Sequence, residues 1–264
     1  MFSFTNLKKI IKNPGYLLTY RHILRLYKYP RYKRGTSQIL GKDIVFVDSA
    51  SLVFMYKEIF EKEIYNFLTN SQDPYIIDCG ANIGLSVIYF KNLYPSAKIL
   101  VFEPDIQVFD CLSRNIKNFS LKDINLINTA VWNKEDILKF FAEGADGGRV
   151  AIDTDKEKII EVKALRLRDY LNRNVDFLKI DIEGAECEVL EDCQDDLKNV
   201  QNIFVEYHSF QNQIQNLDKI LNILTKAGFR YYIEHIGIRS EKPFIKIDSH
   251  LDMDLQLNIY GYRN

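Results

Sequence analysis

The chain has 264 residues, of which 47% are hydrophobic and 27% charged, with a formal net charge of −1. These proportions are ordinary for a globular protein and exclude a disordered chain, a collagen and a coiled coil. No apolar run approaches the roughly 20 residues that cross a bilayer, so no spanning helix is expected.

The charge is uneven along the chain. Residues 1–42 hold ten basic residues (Lys8, Lys9, Lys12, Arg21, Arg25, Lys28, Arg31, Lys33, Arg34 and Lys42) and no acid, whereas the remainder holds 25 basic and 36 acidic residues. This reads as a basic arm on an acidic body. Leu17, Ile23 and Leu24 give the arm an apolar side to dock on the body or on a second copy as a homodimer. Its cations, interleaved with Tyr16, Tyr20, Tyr27, Tyr29 and Tyr32, alternatively suit a peripheral contact with an anionic membrane. The whole chain is not basic enough to imply nucleic acid. Met1 to Lys9 lack a secretory signal, and Cys79, Cys111, Cys187 and Cys193 form no CxxC pair. The expected location is the cytoplasm, with or without membrane-peripheral contact.

In chain order, residues 14–28 read as a helix, with Pro14 in its first turn and Leu17, Tyr20, Leu24 and Tyr27 on one stripe. Tyr29 to Gly35 breaks it. Ile44 to Val47 reads as a strand and Phe54 to Leu68 as a second helix. The polar stretch Thr69 to Pro74 divides an N-terminal extension, 1–73, mostly helical, from a domain at 74–264. Strands and helices then alternate. Strands are expected at Tyr75–Gly80, Lys98–Glu103, Ile124–Val131, Val175–Ile182 and Val200–Tyr207, with edge strands at Ile137–Ala142 and Ile159–Ala164. Helices fall between them at Leu85–Tyr94, up to Ile116, from Ala185, and at Ile214–Ala227. Arg230–His235 and Leu255–Tyr262 close the chain as an antiparallel pair. Apolar strands alternating with helices predict an α/β fold with a mainly parallel sheet covered on both faces.

Asp78-Cys79-Gly80-Ala81-Asn82-Ile83-Gly84 follows the first of these strands and opens a helix, where ligands of doubly wound sheets bind. The Gly80-x-x-x-Gly84 spacing is not the G-x-G-x-x-G of a dinucleotide site. Asp78 before the turn suits an ammonium better than a pyrophosphate, and S-adenosylmethionine carries one. Glu103, 19 residues beyond Gly84, ends the next strand, where a carboxylate accepts hydrogen bonds from ribose hydroxyls. A lone glycine turn is explained by structure; a turn joined to Glu103 argues for a cofactor.

These segments, with Phe102-Glu103-Pro104 and the run Asp176-Phe177-Leu178-Lys179-Ile180-Asp181-Ile182-Glu183-Gly184-Ala185-Glu186, resemble the FkbM family of S-adenosylmethionine-dependent methyltransferases over roughly residues 75–235. The resemblance implies a Rossmann-like methyltransferase fold on a seven-stranded sheet, and O-methylation of hydroxyls of sugars and natural products. It implies that Gly80, Asn82 and Gly84 form the cofactor turn, Asp78 holds the methionine end, Glu103 the ribose, and Asn128, Thr129 and Ala130 border the adenine. Residues 1–70 look similar to N-terminal extensions of bacterial members near polysaccharide genes, which implies a saccharide-containing acceptor.

Lys179 and Asp181 share a strand face, and Asp181 stands at the strand's carboxyl end. The pair satisfies itself or serves chemistry; we place Asp181 beside the acceptor and expect Glu183 and Lys179 to contact it. Glu186 charges the next helix N-terminus. His208 ends the following strand, near Asp181. A sugar hydroxyl has a high pKa, so His208 is expected as general base, with Asp181 and Glu206 as competing bases. A divalent metal on Asp181, Glu183 and Glu206 would acidify the hydroxyl instead, but no tight ligand spacing favours it. Trp132, Phe140, Phe141 and the loop from Glu143 to Arg149 are candidates to cover the site. A catalytically silent binding module and a nucleotide-dependent dehydrogenase are the competing readings.

Overall fold

A computed structural model describes residues 14–141, 149–150 and 159–263. Lys8, Lys9 and Lys12 of the basic arm, and Glu143 to Gly148 of the glycine-rich loop, lie outside the described residues. The chain begins with α1 (Pro14–Leu26) and a hairpin of β1 (Gly35–Ile39) and β2 (Lys42–Phe46). Leu40 and Gly41 both have positive φ (56° and 77°), the backbone of a tight turn that matches strand twist. The hairpin adds sheet structure to an extension read as mostly helical.

The second helix starts and stops earlier than its apolar pattern suggests. α2 (Ser49–Tyr56) is followed by a wide helical turn at Lys57–Glu61, and no helix continues to Leu68. Asp48 caps the start by accepting from the amides of Ala50 and Ser51. Glu63, at φ 59°, turns the chain out of the helix.

The central sheet follows. Its strands are β3 (Tyr75–Cys79), β4 (Lys98–Phe102), β5 (Ile124–Ile127), β10 (Val175–Ile180), β11 (Val200–Phe210), β12 (Arg230–Ile236) and β13 (Met253–Tyr262), in the order β12-β13-β11-β10-β3-β4-β5. β11, β10, β3, β4 and β5 run parallel, and β13 inserts antiparallel between β11 and β12. This is the expected seven-stranded α/β sheet. Helices α3 (Leu85–Leu93), α4 (Ile106–Asn118), α5 (Glu186–Cys193) and α6 (Leu217–Lys226) form the crossovers. All six residues of β10 are buried, as a strand covered on both faces requires.

A smaller sheet, β6 (Ala130–Trp132), β7 (Asp136–Phe141), β8 (Arg149–Val150) and β9 (Ile159–Arg166), stands apart in the order β6-β9-β7-β8. The single strand expected at Ile124–Val131 is therefore two, in different sheets. The break falls at Asn128, whose amide donates to the carbonyls of Glu103 and Pro104 at 2.8 and 3.1 Å and bends the chain away from β4. The segments read as edge strands pair with each other in this small sheet.

Residues 14–73 share the core on one sheet face: Ile23, Ile44, Phe46 and Leu52 pack in one cluster with Ile76, Phe90 and Val101. Fully burying each such side chain contributes about 1.5–3 kcal/mol. Leu24, also expected to dock α1, is 47% exposed. Asn115, fully buried on α4, staples the extension in place. Its amide accepts from Val45 N at 2.7 Å and donates to Val45 O at 2.9 Å and Ile83 O at 2.8 Å. No helix among the described residues is long and apolar enough to cross a membrane.

Candidate active site

The turn after β3 is built from left-handed backbone: Gly80, Asn82 and Gly84 have φ of 82°, 50° and 88°. The amides of Gly80 and Ala81 both donate to Phe102 O, tying the turn to β4. A Cβ on Gly80 would lie 1.8 Å from the carbonyl oxygen of Asp181, and one on Gly84 would lie 2.6 Å from Leu112 Cδ1. The space each glycine leaves is thus filled by protein, from β10's end and α4. Both are required by packing as well as by φ, and Gly84 does not line the cavity described below, although Asn82 and Leu85 beside it do.

Glu103 stands beside this turn. Its carboxylate accepts from Asn82 N at 2.9 Å and from Asp105 N at 3.0 Å, so it fixes the turn's shape. Burial pushes its pKa up to about 8 against these two donors, with the Asp105 charge adding to the rise. Asp105 itself caps α4. Thr129 Oγ1 is buried without a hydrogen-bond partner, and Thr129 and Ala130 lie beside Glu103 in the cavity wall. Asn128 acts on the backbone of Glu103 and Pro104 rather than from the cavity wall.

Asp78 is fully buried beneath the turn. It accepts from Ser86 Oγ at 2.5 Å and lies 3.3 Å from Lys179 Nζ. Lys179 also donates to Gly80 O at 2.8 Å and lies 3.1 Å from Asp181. Burial disfavours this ammonium, but Asp181 and Asp78 hold its pKa well above the ordinary lysine value. Lys179 therefore locks the glycine turn to β10, and Asp78 supports it from below; direct contact between Asp78 and a ligand is not what this geometry provides.

His208 is likewise enclosed, at 4% exposure, and does not line the cavity. Its Nδ1 lies 3.0 Å from Glu186 Oε1, and its Nε2 lies 3.4 Å from Glu206 and 3.5 Å from Glu183. Burial lowers the imidazole's pKa, and Glu183, Glu186 and Glu206 more than reverse this, leaving it well above its ordinary value. The expected base thus stands behind the carboxylates that reach the cavity.

Those carboxylates are Asp181, Glu183 and Glu206. Glu183 has φ 55°, a backbone conformation costly for a residue with a Cβ. It is held there by Glu186, 1% exposed, which accepts from Ile182 N and Gly184 N at 3.2 and 3.0 Å. Burial raises the Glu183 carboxyl well above the carboxylate range, where the His208 charge only partly restores it. Burial, then the Asp181 charge, raises Glu206 as well. Gln256 Nε2 donates to Glu206 Oε1 at 3.0 Å and fixes its direction.

These groups surround a cavity of about 370 Å³ beyond the carboxyl ends of β3, β4, β10 and β11. Gly80, Asn82 and Glu103 line one side, and Asp181, Glu183 and Glu206 the other. Remote segments wall it: Tyr32, Phe54 and Tyr65 from the N-terminal extension, and Leu251, Met253 and Gln256 from the C-terminal strand and its approach. Arg31 and Tyr32 are anchored there by Asp48, which accepts from Arg31 Nε at 2.8 Å and Tyr32 N at 2.7 Å. Of the residues expected to cover the site, Phe140 lines it, while Phe141 lies 4.9 Å beneath the Arg149 guanidinium. Sequence reasoning missed Tyr65 and Gln256. Asp254, Gln256 and Asn258 alternate as polar positions among the apolar residues of β13, a signal that was there to use. Tyr65 gave none.

A sequence profile described as the methyltransferase FkbM domain matches residues 78–231. Methyltransferase sdnD of Sordaria araneosa is 32% identical over 194 residues, spanning 58% of this chain and 73% of that protein. The 2-O-methyltransferase NoeI of Sinorhizobium fredii is 25% identical over 161 residues, spanning 53% of this chain and 65% of that protein. Among solved structures, methyltransferase FkbM from Methylobacillus flagellatus superposes with a TM-score of 0.50 at 14% identity. That match covers 96% of this chain and 60% of the other, and is a likeness of fold.

Proposed function

Since this chain belongs to the FkbM methyltransferase family, we propose that it transfers the methyl group of S-adenosylmethionine to a hydroxyl of a saccharide. The observation that carries the reading is one cavity with two chemically different sides. One side offers the glycine turn, Glu103 and the unpartnered Thr129 Oγ1; the other offers three carboxylates. Membership of a methyltransferase family removes the dehydrogenase reading.

The residues present fit the donor. Glu103 is placed to accept from vicinal ribose hydroxyls, and the buried Thr129 Oγ1 can bond a polar edge of the base. When bound, S-adenosylmethionine supplies an electrophilic sulfonium methyl. On the other side, carboxylates accept hydrogen bonds from neutral hydroxyls, and three of them suit the adjacent hydroxyls of a sugar ring better than a lone alcohol or an amine cation beside Lys179. The relative NoeI, by name a 2-O-methyltransferase, supports transfer to oxygen rather than to nitrogen.

Glu183 is the residue we assign to the acceptor's proton. It reaches the cavity, its backbone is strained, and burial raises its pKa above that of a free carboxylate. Asp181 and Glu206 orient the sugar, Gln256 holds Glu206, and Lys179, 3.1 Å away, holds Asp181. The polysaccharide or glycolipid setting and a cytoplasmic location belong to this proposal.

The test is methyl transfer by the full chain from isotopically labelled S-adenosylmethionine to a panel of glycans, with amine and simple alcohol controls. Label in an alkali-stable ether on a sugar is the expected result. Label on nitrogen, or on the simple alcohol alone, would sink the saccharide reading. Donor binding without transfer to any acceptor would favour a silent module.

A further inference from the structure

We infer that Asp181, Glu206 and Nε2 of His208 form a binding site for one divalent cation at the floor of the cavity, where it takes the acceptor oxygen; the cation's role rests on the saccharide reading above, and the site itself does not. One ligand atom from each of these residues can be chosen so that all lie within 4.8 Å of one another.

The first argument is the unused ring nitrogen. His208 Nδ1 faces Glu186 at 3.0 Å, and a carboxylate only accepts, so Nδ1 carries the hydrogen of that bond. This leaves Nε2 buried, aimed at the carboxylates and without a hydrogen-bond partner. Glu206 and Glu183 stand 3.4 and 3.5 Å from it, too far for an ordinary N–H···O bond of roughly 2.7–3.2 Å. The 3.4 Å between Nε2 and Glu206, both in the ligand set, suits two donors flanking one ion: metal–ligand bonds of about 2.0–2.2 Å put neighbouring ligand atoms on the order of 3–3.5 Å apart.

The second argument is the surrounding shell. A histidine that ligates a metal through one nitrogen almost always gives its other N–H to a carboxylate or carbonyl, which fixes the ring. Glu186, itself 1% exposed and anchored by two backbone amides, is that carboxylate. Gln256 orients Glu206 and Lys179 orients Asp181, so every ligand has its own support.

Charge is the third. Five carboxyl groups, Asp78, Asp181, Glu183, Glu186 and Glu206, gather around one lysine, Lys179, and the His208 ring, whose Nε2 ligates only when it carries no hydrogen. A divalent ion offsets the excess. Two carboxylates with one imidazole form an oxygen-rich, moderately hard donor set, which suits Mn²⁺ or Mg²⁺ better than a thiophilic metal. Bound there, the ion acidifies the acceptor hydroxyl. The proton passes to Glu183, the carboxylate left outside the ligand set. The oxygen's electron pair forms the new O–CH₃ bond while the S–CH₃ bond breaks, its pair staying on sulfur.

Mn²⁺ titrated into the full chain, with free ion followed by electron paramagnetic resonance, tests the site. The expected result is one tightly held Mn²⁺ per chain, displaced by Mg²⁺. His208→Gln and Glu206→Gln should each weaken it by about tenfold or more, and Glu186→Gln by about tenfold. Glu191→Gln, on the exposed side of α5, should leave it unchanged. Circular dichroism identifies a variant that fails to fold, and Asp181→Asn then carries the test. No binding at millimolar Mn²⁺, or binding indifferent to these ligand changes, overturns the site. Mn²⁺ bound with ligand-dependent affinity, but no methylated saccharide, supports the site and sinks the acceptor reading. Saccharide methylation unaffected by chelator, in a protein that holds no Mn²⁺, does the reverse.

Discussion

The two sides of the cavity are built by opposite means. The donor side comes from two nearby stretches, Gly80–Gly84 and Glu103, on adjacent strands, and backbone amides hold its carboxylate. The proposed acceptor side gathers Tyr65, Asp181, Glu183, Glu206 and Gln256, and side chains hold Asp181 and Glu206. The difference teaches where change is tolerated. A backbone-held site keeps its geometry if the fold survives. A side-chain-held cluster of buried charges is poised: removing one member leaves another uncompensated.

The sharpest way to separate the sides is Glu183→Gln. If Glu183 takes the proton, turnover should fall by ~10²–10⁴-fold while donor affinity, read by calorimetry, stays unchanged. The wild-type rate should rise with pH through a pKa above the ordinary carboxylate value, because the base works only when ionised and burial raises its pKa. An equal loss of donor affinity would merge the two sides and remove the assignment.

Lys179→Met strikes where the sides meet. It strands Asp78 and Asp181 without their cation, and breaking a buried pair from one side costs about 3–5 kcal/mol. Urea unfolding measures this. A loss below about 1 kcal/mol would mean that Lys179 does not lock the turn to β10.

Glu103→Ala probes the donor side alone. Donor affinity should weaken by roughly 1–3 kcal/mol, as for buried ribose hydroxyls left without their acceptor, with turnover at saturating donor largely kept. The chain should also lose stability, because the amides of Asn82 and Asp105 lose their acceptor. Unaltered donor affinity would end the ribose assignment.

The smallest effect is expected from Gln256→Ala, which frees Glu206 without removing a charge. Acceptor KM should rise several-fold, equivalent to about 1 kcal/mol, with donor affinity constant. A change in donor affinity instead would show that β13 serves both sides.

The parallel sheet, its antiparallel insertion and the turn that opens the donor side were legible in the sequence, because each rests on local periodicity and glycine spacing. Strand β10 read as buried because nearly all of it is apolar. Glu103 was legible because the distance from a glycine turn to the next strand's end is set by one helix and one strand. Position along the chain also brought Asp181, Glu183, Glu206 and His208 to one edge. What position does not encode is direction and enclosure. Only the packing of α5 against β11 turned His208 toward Glu186 and left Glu183 and Glu206 facing the cavity. Only tertiary contact filled the space beside Gly80 and Gly84 with Asp181 and Leu112, which adds a packing demand to the turn's left-handed backbone. The split of Ile124–Val131 escaped because one side-chain amide, Asn128, redirects a chain that is otherwise uniformly strand-like. Propensity, period and spacing act over a few residues and are written locally. Burial, pKa and the pairing of charges depend on which distant segments close over a site, and that is decided when the chain packs.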